Sequence, residues 1–385
     1  MIPLAVPNLS GREAAYLQEC ITSTFVSSVG PFVDRFEEQV AAAAGTTSCV
    51  AVSAGTTGLH LALHTVGVRA GDLVVLPSLT FIASANAIAH CGASPWLFDV
   101  AASSATLDPE QLTTTLHSRL VRHSDGAVDR ITGRRVAAIL PVHTLGHPAD
   151  MDAIVEVARE YRIPVVADAA AALGATYRGR PIGRTGADVS VFSFNGNKTI
   201  TAGGGGALVS EDKTLLARAR HLSTTARIGR DYDHDEVGFN YRMTNLQAAV
   251  GAAQMEQLET FVAAKRRIQR FYDDRLCHHP AVSALPQAAW ADSACWFAGL
   301  LLEGLAPEDV HEVRTVLRDE GIDARPFWKP MHLQRPFADA PCEPTPVTDR
   351  SWSRVLTLPC STGITDNELD QVADATDRAL KPWTP

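Results

Sequence analysis

The first two hundred residues alternate two patterns: a short, almost wholly apolar run and a longer segment of helical periodicity. The apolar runs stand at residues 49–52, 73–76, 96–98, 136–140, 165–167 and 189–192, and most are rich in Val, Leu or Ala. A strand that is apolar at every residue, not at alternate ones, is covered on both faces. Helical patterns lie between most of them, at 57–64, 81–89 and 150–161. Two more precede the first strand: 11–22, with Ala14, Tyr16, Leu17 and Ile21, and 31–44, with Phe32, Val33, Phe36 and Val40. Strands alternating with helices predict an α/β fold with a mainly parallel sheet flanked by helices.

After Gly206 the pattern changes. A long helical stretch covers 244–276 and turns charged at Lys265-Arg266-Arg267. Beyond it lie an apolar run at 296–302, a helix at 307–319 and a cluster of prolines from Pro326 to Pro346. A chain of 385 residues exceeds the roughly 250–300 at which a single core stops growing. We therefore expect two domains, 1–255 and 256–385, with the boundary inside the long helix. No internal repeats or low-complexity tracts are evident.

Composition removes several classes of function. The net charge is −9, whereas a uniform nucleic-acid binder carries an excess of Lys and Arg to meet phosphates. No run of about 20 apolar residues is present to span a membrane. The start, Met-Ile-Pro-Leu-Ala-Val-Pro, lacks the basic residues and sustained apolar core of a signal peptide. Seven cysteines, an odd number without a Cys-x-x-Cys pair, suit neither a disulfide framework nor a zinc site. The expectation is reduced, mostly buried thiols in a cytoplasmic protein, with no metal.

Five segments carry chemistry. The first is Val191-Phe-Ser-Phe-Asn-Gly-Asn-Lys198, with four glycines at 203–206. A strand end, a small polar turn and one lysine can hold an amine at a fixed, partly desolvated point, as a Schiff base requires. The same segment reads equally as a surface turn with a solvated lysine. The second is Ile163-Pro-Val-Val-Ala-Asp168, followed by a helix-forming alanine run. A carboxylate at the end of such a strand sits where open α/β sheets bind ligands; it also suits a helix N-cap.

The third is Ser53-Ala-Gly55-Thr56-Thr57-Gly58, a strand-to-helix turn whose amides and hydroxyls can cradle phosphate. It matches neither the P-loop nor the dinucleotide fingerprint. In the fourth, Pro77-Ser-Leu-Thr80-Phe81-Ile-Ala-Ser84-Ala-Asn86, the aromatic follows a strand end, where it either stacks on a flat ligand or packs in the core. The fifth, Gly238-Phe-Asn240-Tyr241-Arg242-Met243-Thr-Asn245, is a polar, aromatic and basic cluster before the long helix; it also reads as a capped helix start.

Taken in order, these segments resemble the DegT/DnrJ-type sugar aminotransferases, of the fold-type I superfamily dependent on pyridoxal 5'-phosphate (PLP). The resemblance runs from Ile2 to about Thr365. It implies a large PLP domain followed by a smaller C-terminal α+β domain. It assigns Lys198 as the Schiff-base lysine and Asp168 as partner of the pyridine nitrogen. Phe81 becomes the stacking aromatic, Ser193 a phosphate ligand, and Thr56 and Thr57 the phosphate-cradling turn. Asn240 is expected to reach the phosphate of the other subunit, which makes the protein a homodimer with shared active sites. The chain departs from the family at Ala171, where Gln, His or Glu is usual, and at Ala167, often Glu. Dehydratase relatives carry His in place of the lysine, so Lys198 places the chain with the aminotransferases.

The segments beginning at Phe25, Pro141 and Arg325 look most like the subgroup acting on nucleotide-linked 4-keto-6-deoxy sugars, in bacillosamine- and legionaminic-acid-like pathways. The expected reaction moves an amino group, usually from L-glutamate, to such a sugar. Arg325 and His332 are expected near the sugar or its diphosphate, with Arg227 and Tyr241 as further candidates; His332 reads equally as a surface histidine after a turn. A non-sugar ketone or cyclitol acceptor is the alternative. A non-catalytic sensor of the same fold is disfavoured by the intact Lys198 and Asp168.

Overall fold

Seven strands, extended at Arg135–Ile139 by the antiparallel strands Leu120–His123 and Gly126–Asp129, form the central layer of the computed structural model, which describes residues 1–123 and 126–383. The expected apolar runs appear as Cys49–Val52, Leu73–Pro77, Ser94–Phe98, Arg135–Ile139, Val166–Asp168 and Val189–Ser193. Ser94–Phe98 pairs parallel with Leu73–Pro77, and that strand pairs parallel with Arg135–Ile139. Parallel bridges from Ile139 to Val165 and from Val142 to Asp168 carry the layer on to Val166–Asp168. Val189–Ser193 lies parallel beside it.

The seventh strand, Gly206–Val209, was not expected, and it runs antiparallel to both Val189–Ser193 and Cys49–Val52. Its four residues are buried, so it has no amphipathic signature to betray it. The glycine at its start is a steric requirement, since a Cβ on Gly206 would lie 2.7 Å from the Ala54 carbonyl oxygen. Because the last pair is antiparallel, residues 194–205 loop over the sheet edge at which Val166–Asp168 also ends. That loop carries Lys198.

The predicted long helix is two helices, Asn245–Met255 and Leu258–Leu276. The first opens with a capping box between Thr244 and Gln247. The break falls where side chains are tied to distant elements. Glu256 accepts from Tyr16 Oη at 2.6 Å and from Arg35 at 2.7 Å, and Gln254 donates to the Asn8 carbonyl at 2.7 Å. Such ties leave no trace in local periodicity.

The C-terminal region builds a second, four-stranded antiparallel sheet around Ala298–Leu301 and Val355–Leu358. Helices Leu258–Leu276, Pro307–Asp319 and Asp366–Leu380 contribute Tyr272, Val310, Val313 and Leu369 to its apolar cluster, beside Leu300 and Leu356. Each such buried side chain contributes about 1.5–3 kcal/mol. Trp296 and Phe297 belong to the same cluster and precede the strand Ala298–Leu301. All seven cysteines are free, but they are less buried than expected: Cys20, Cys49 and Cys360 are buried, Cys342 is exposed, and the other three lie between. Among the described residues, no helix is long and apolar enough to cross a membrane.

Candidate active site

Lys198 is fixed by its loop. Buried Phe194 and Ile200 anchor the loop on either side of the lysine. Phe194 N–H donates to the Gly205 carbonyl and Ala202 N–H to the Phe194 carbonyl, both at 2.9 Å, and Lys198 N–H donates to Asn195 at 2.9 Å. The side chain is half-buried, with Nζ 3.4 Å from the ring centroid of Trp296. Burial pulls its pKa down to about 8, against the charge of Asp168, which favours the ammonium. A solvated surface lysine, the competing reading, would show neither the apolar contact nor that shift.

Asp168 ends its strand and is buried. Its Oδ2 accepts from Ser84 Oγ at 2.6 Å and its Oδ1 from Ala170 N–H at 3.0 Å. Burial pushes the carboxyl pKa up, while Ser84, the Ala170 amide and the charge of Lys198 pull it back. The alanine run after it forms turns, not the expected helix, so the N-cap reading has no helix to cap. A buried carboxylate with two donors suits a cationic partner such as a protonated ring nitrogen.

Helix Gly55–Thr65 points its start at the same place. A Cβ on Gly55 would lie 2.7 Å from Ser193 Cβ and 2.9 Å from Ser193 Oγ, so only glycine lets the helix start meet that serine. The first helical bond is donated by Gly58 to the Ala54 carbonyl at 3.0 Å, which leaves the preceding amides at the helix end for an anion. Thr56 lines the cavity. Thr57 instead turns inward: its Oγ1 donates to the Ala54 carbonyl at 2.8 Å and accepts from Ala54 N–H at 3.1 Å.

These elements enclose a cavity of about 440 Å³ lined by Thr56, Phe81, Ser193, Lys198, Trp296 and Arg325, among others. Phe81 is 55% exposed at the start of helix Ile82–His90, which rules out core packing, and its ring lies 5.9 Å from Trp328. Arg325 is paired with Asp323 at 2.7 Å.

Other predicted residues stand apart from this lining. Asn240 is exposed and bridges to Thr224. Arg227 is exposed, bonds the Asp231 carbonyl at 2.9 Å and covers Tyr232. The Tyr241 hydroxyl lies 3.1 Å from His60 Nδ1. His332 is held on both nitrogens, by Ser78 Oγ at 2.7 Å and by Asp349 at 3.1 Å. Ala171 is half-buried against the cluster containing Trp296. Gly55, Ser84 and Trp328 lay inside segments that sequence reasoning singled out but were given no role of their own; Trp296 was missed outright, with no signal beyond its residue type.

The lysine and the glycine-opened helix start line one cavity, the buried carboxylate lies within electrostatic reach of that lysine, and these groups fit the aldehyde, the phosphate and the ring nitrogen of PLP. Fold and site together define a PLP-dependent aminotransferase. The chain belongs to the DegT/DnrJ/EryC1/StrS aminotransferase family, which it matches over residues 7–377. It is 38% identical to a GDP-perosamine synthase of Caulobacter vibrioides, over 98% of either chain. Among solved structures it is similar to the aminotransferase TlmJ of Streptoalloteichus hindustanus, with a TM-score of 0.89 and 28% identity over 100% of both chains. It is also similar to DesI in the presence of its TDP-sugar product, with a TM-score of 0.85 and 29% identity over 99% of this chain and 92% of the other.

Proposed function

We propose that this chain transfers the amino group of L-glutamate to the carbonyl of a nucleotide-linked 4-keto-6-deoxy hexose, with Lys198 and Asp168 as its catalytic residues. The observation that carries the chemistry is that Lys198 lines the cavity within electrostatic reach of buried Asp168, whose carboxylate favours its ammonium while burial pulls its pKa down to about 8. PLP, when bound, withdraws electrons from the carbon that loses its proton. The chain's own residues do the rest. Lys198 holds the cofactor and, once free, moves a proton at the reacting carbon as general base and acid. Asp168 keeps the ring nitrogen protonated. Thr56, Ser193 and the helix start at Gly55 hold the phosphate, and Thr57 braces that helix start. Phe81 covers the ring.

The acceptor class is supported by the relatives: one is named for a GDP-linked sugar, and DesI was determined with a TDP-sugar. Arg325 is the substrate candidate best placed for a diphosphate, because it lines the cavity. Arg227, Tyr241 and His332 would need to act from outside it. Asn240, exposed on its own chain, has the accessibility needed to reach the active site of a second copy in a homodimer. The reading includes a cytoplasmic location and the division into two domains near residue 255.

The test is an acceptor screen. Nucleotide-linked 4-keto-6-deoxy sugars and keto-cyclitols are each supplied with glutamate, and release of 2-oxoglutarate is followed. Turnover confined to the sugar nucleotides supports the proposal; turnover confined to cyclitols replaces it with the non-sugar reading.

A further inference from the structure

Trp296 lies outside every motif that pointed to the site, yet its indole sits against the reactive end of Lys198. The separation of 3.4 Å from Nζ to the ring centroid is cation–π geometry. Among the described residues, Nζ has no hydrogen bond or ion pair; the indole face lies against it, and the charge of buried Asp168 acts on it as well. The indole is itself fixed. Nε1–H donates to the Asn197 carbonyl at 2.7 Å, and the backbone N–H donates to Leu145 at 2.9 Å. Phe297 stacks on the ring at 3.9 Å, with 19° between planes. The first of these bonds ties the ring to the very turn that carries the lysine.

We propose that Trp296 is a positioning residue: its face receives the Lys198 amine as an ammonium whenever the lysine is not bonded to the cofactor. Lys198 leaves that bond when a donor amine takes its place. One C–N bond forms as the other breaks; two protons from the donor ammonium join the one already on the linking nitrogen, which leaves the lysine with three. A solvated lysine would pass this charge to water. Half-buried Lys198 rests it on a π face, while the charge of buried Asp168, which is not in hydrogen-bond contact with Nζ, acts on it from the strand end. The lysine then stays at the cavity and can still give up a proton to serve as base.

The experiment uses the full-length chain freed of cofactor. Only the unprotonated amine captures PLP, so the rate of capture, read from the visible absorption band, rises with pH through the lysine's own titration. Trp296→Leu removes the π face; Trp296→Phe keeps a smaller, weaker face and loses the Nε1–H bond. Losing the face disfavours the ammonium, so the profile should move about half to one pH unit lower in Trp296→Leu. It should move less than half as far in Trp296→Phe. An unmoved profile in Trp296→Leu, or equal shifts in both variants, would overturn the proposal and leave the tryptophan a brace for the turn. Should Trp296→Leu fail to fold, tryptophan fluorescence of the cofactor-free wild type is titrated beside that of Lys198→Ala. A pH step present only in the wild type supports the contact, and coincident curves refute it.

Discussion

Ser84 Oγ donates a 2.6 Å hydrogen bond to Asp168 Oδ2, joining the second turn-to-helix segment to the carboxylate at the end of a strand 84 residues later. Hydrogen bonds to charged groups contribute about 1.5–3 kcal/mol. Ser84→Ala should therefore lower turnover about 10–100-fold, because the buried carboxyl loses a donor that favours its ionised form. Its pKa rises further, and the acid limb of the pH–rate profile moves to higher pH. A profile whose acid limb stays in place would show that this bond does not tune Asp168.

Lys198 titrates at about 8 in the fold and near 10.4 in an unfolded chain. Between those values the unfolded state binds the extra proton, so this residue's contribution to stability rises with pH across that window. Below pH 8 its burial is a full cost. Cofactor-free Lys198→Met should melt higher than the wild type at pH 7, and the gap should close as pH rises towards 10. The same variant should show no visible cofactor band and lose at least about 10²–10⁴-fold in turnover. Equal melting temperatures at pH 7 would contradict the desolvation argument.

Gly55→Ala places a methyl 2.7 Å from Ser193 Cβ, so either the helix start or the strand end must move. Overpacking of this kind costs about 1–3 kcal/mol. We expect a lower melting temperature and PLP binding weakened by about tenfold or more, measured by equilibrium titration. Wild-type PLP affinity in Gly55→Ala would mean that the helix start does not hold the phosphate.

Burial holds three histidines far below the usual imidazole range: His60 and His147 at about 4 and His143 at about 3. Unfolded, each titrates near 6.5. Below pH 6.5 the unfolded chain therefore binds more protons than the native one, and stability falls as pH drops towards 4. Melting temperature followed from pH 7 to 4.5 should fall progressively, and less steeply in His60→Gln. A flat curve across that range would show that these rings protonate in place.

Much of the fold was legible because the buried strands are continuously apolar. Cys49–Val52 and helix Pro31–Ala44 appear with the expected bounds. Gly206–Val209 was missed because it is short and follows a glycine run that reads as a turn. The single long helix was misread because periodicity continues smoothly across the break after Met255. At the site, the types of Lys198 and Asp168 and their places at strand ends announced their chemistry. Thr57 looked like a cavity residue and is a brace, because one hydroxyl in that turn caps the helix while its neighbour faces the cavity.

The sequence alone determined where the elements lie, and it determined the order of the segments that bring a lysine, a carboxylate and a glycine-opened turn to one sheet edge. Local periodicity and residue type encode these things because they depend on neighbours within a turn or a strand. Only the tertiary structure decided that Ser84 donates to Asp168 and that Trp296 lies against Lys198. It also decided that Arg325 lines the cavity while Tyr241 and His332 are tied elsewhere. Those relationships join residues from separate elements, and the distance between two elements is set by how their buried faces pack, which no local pattern records.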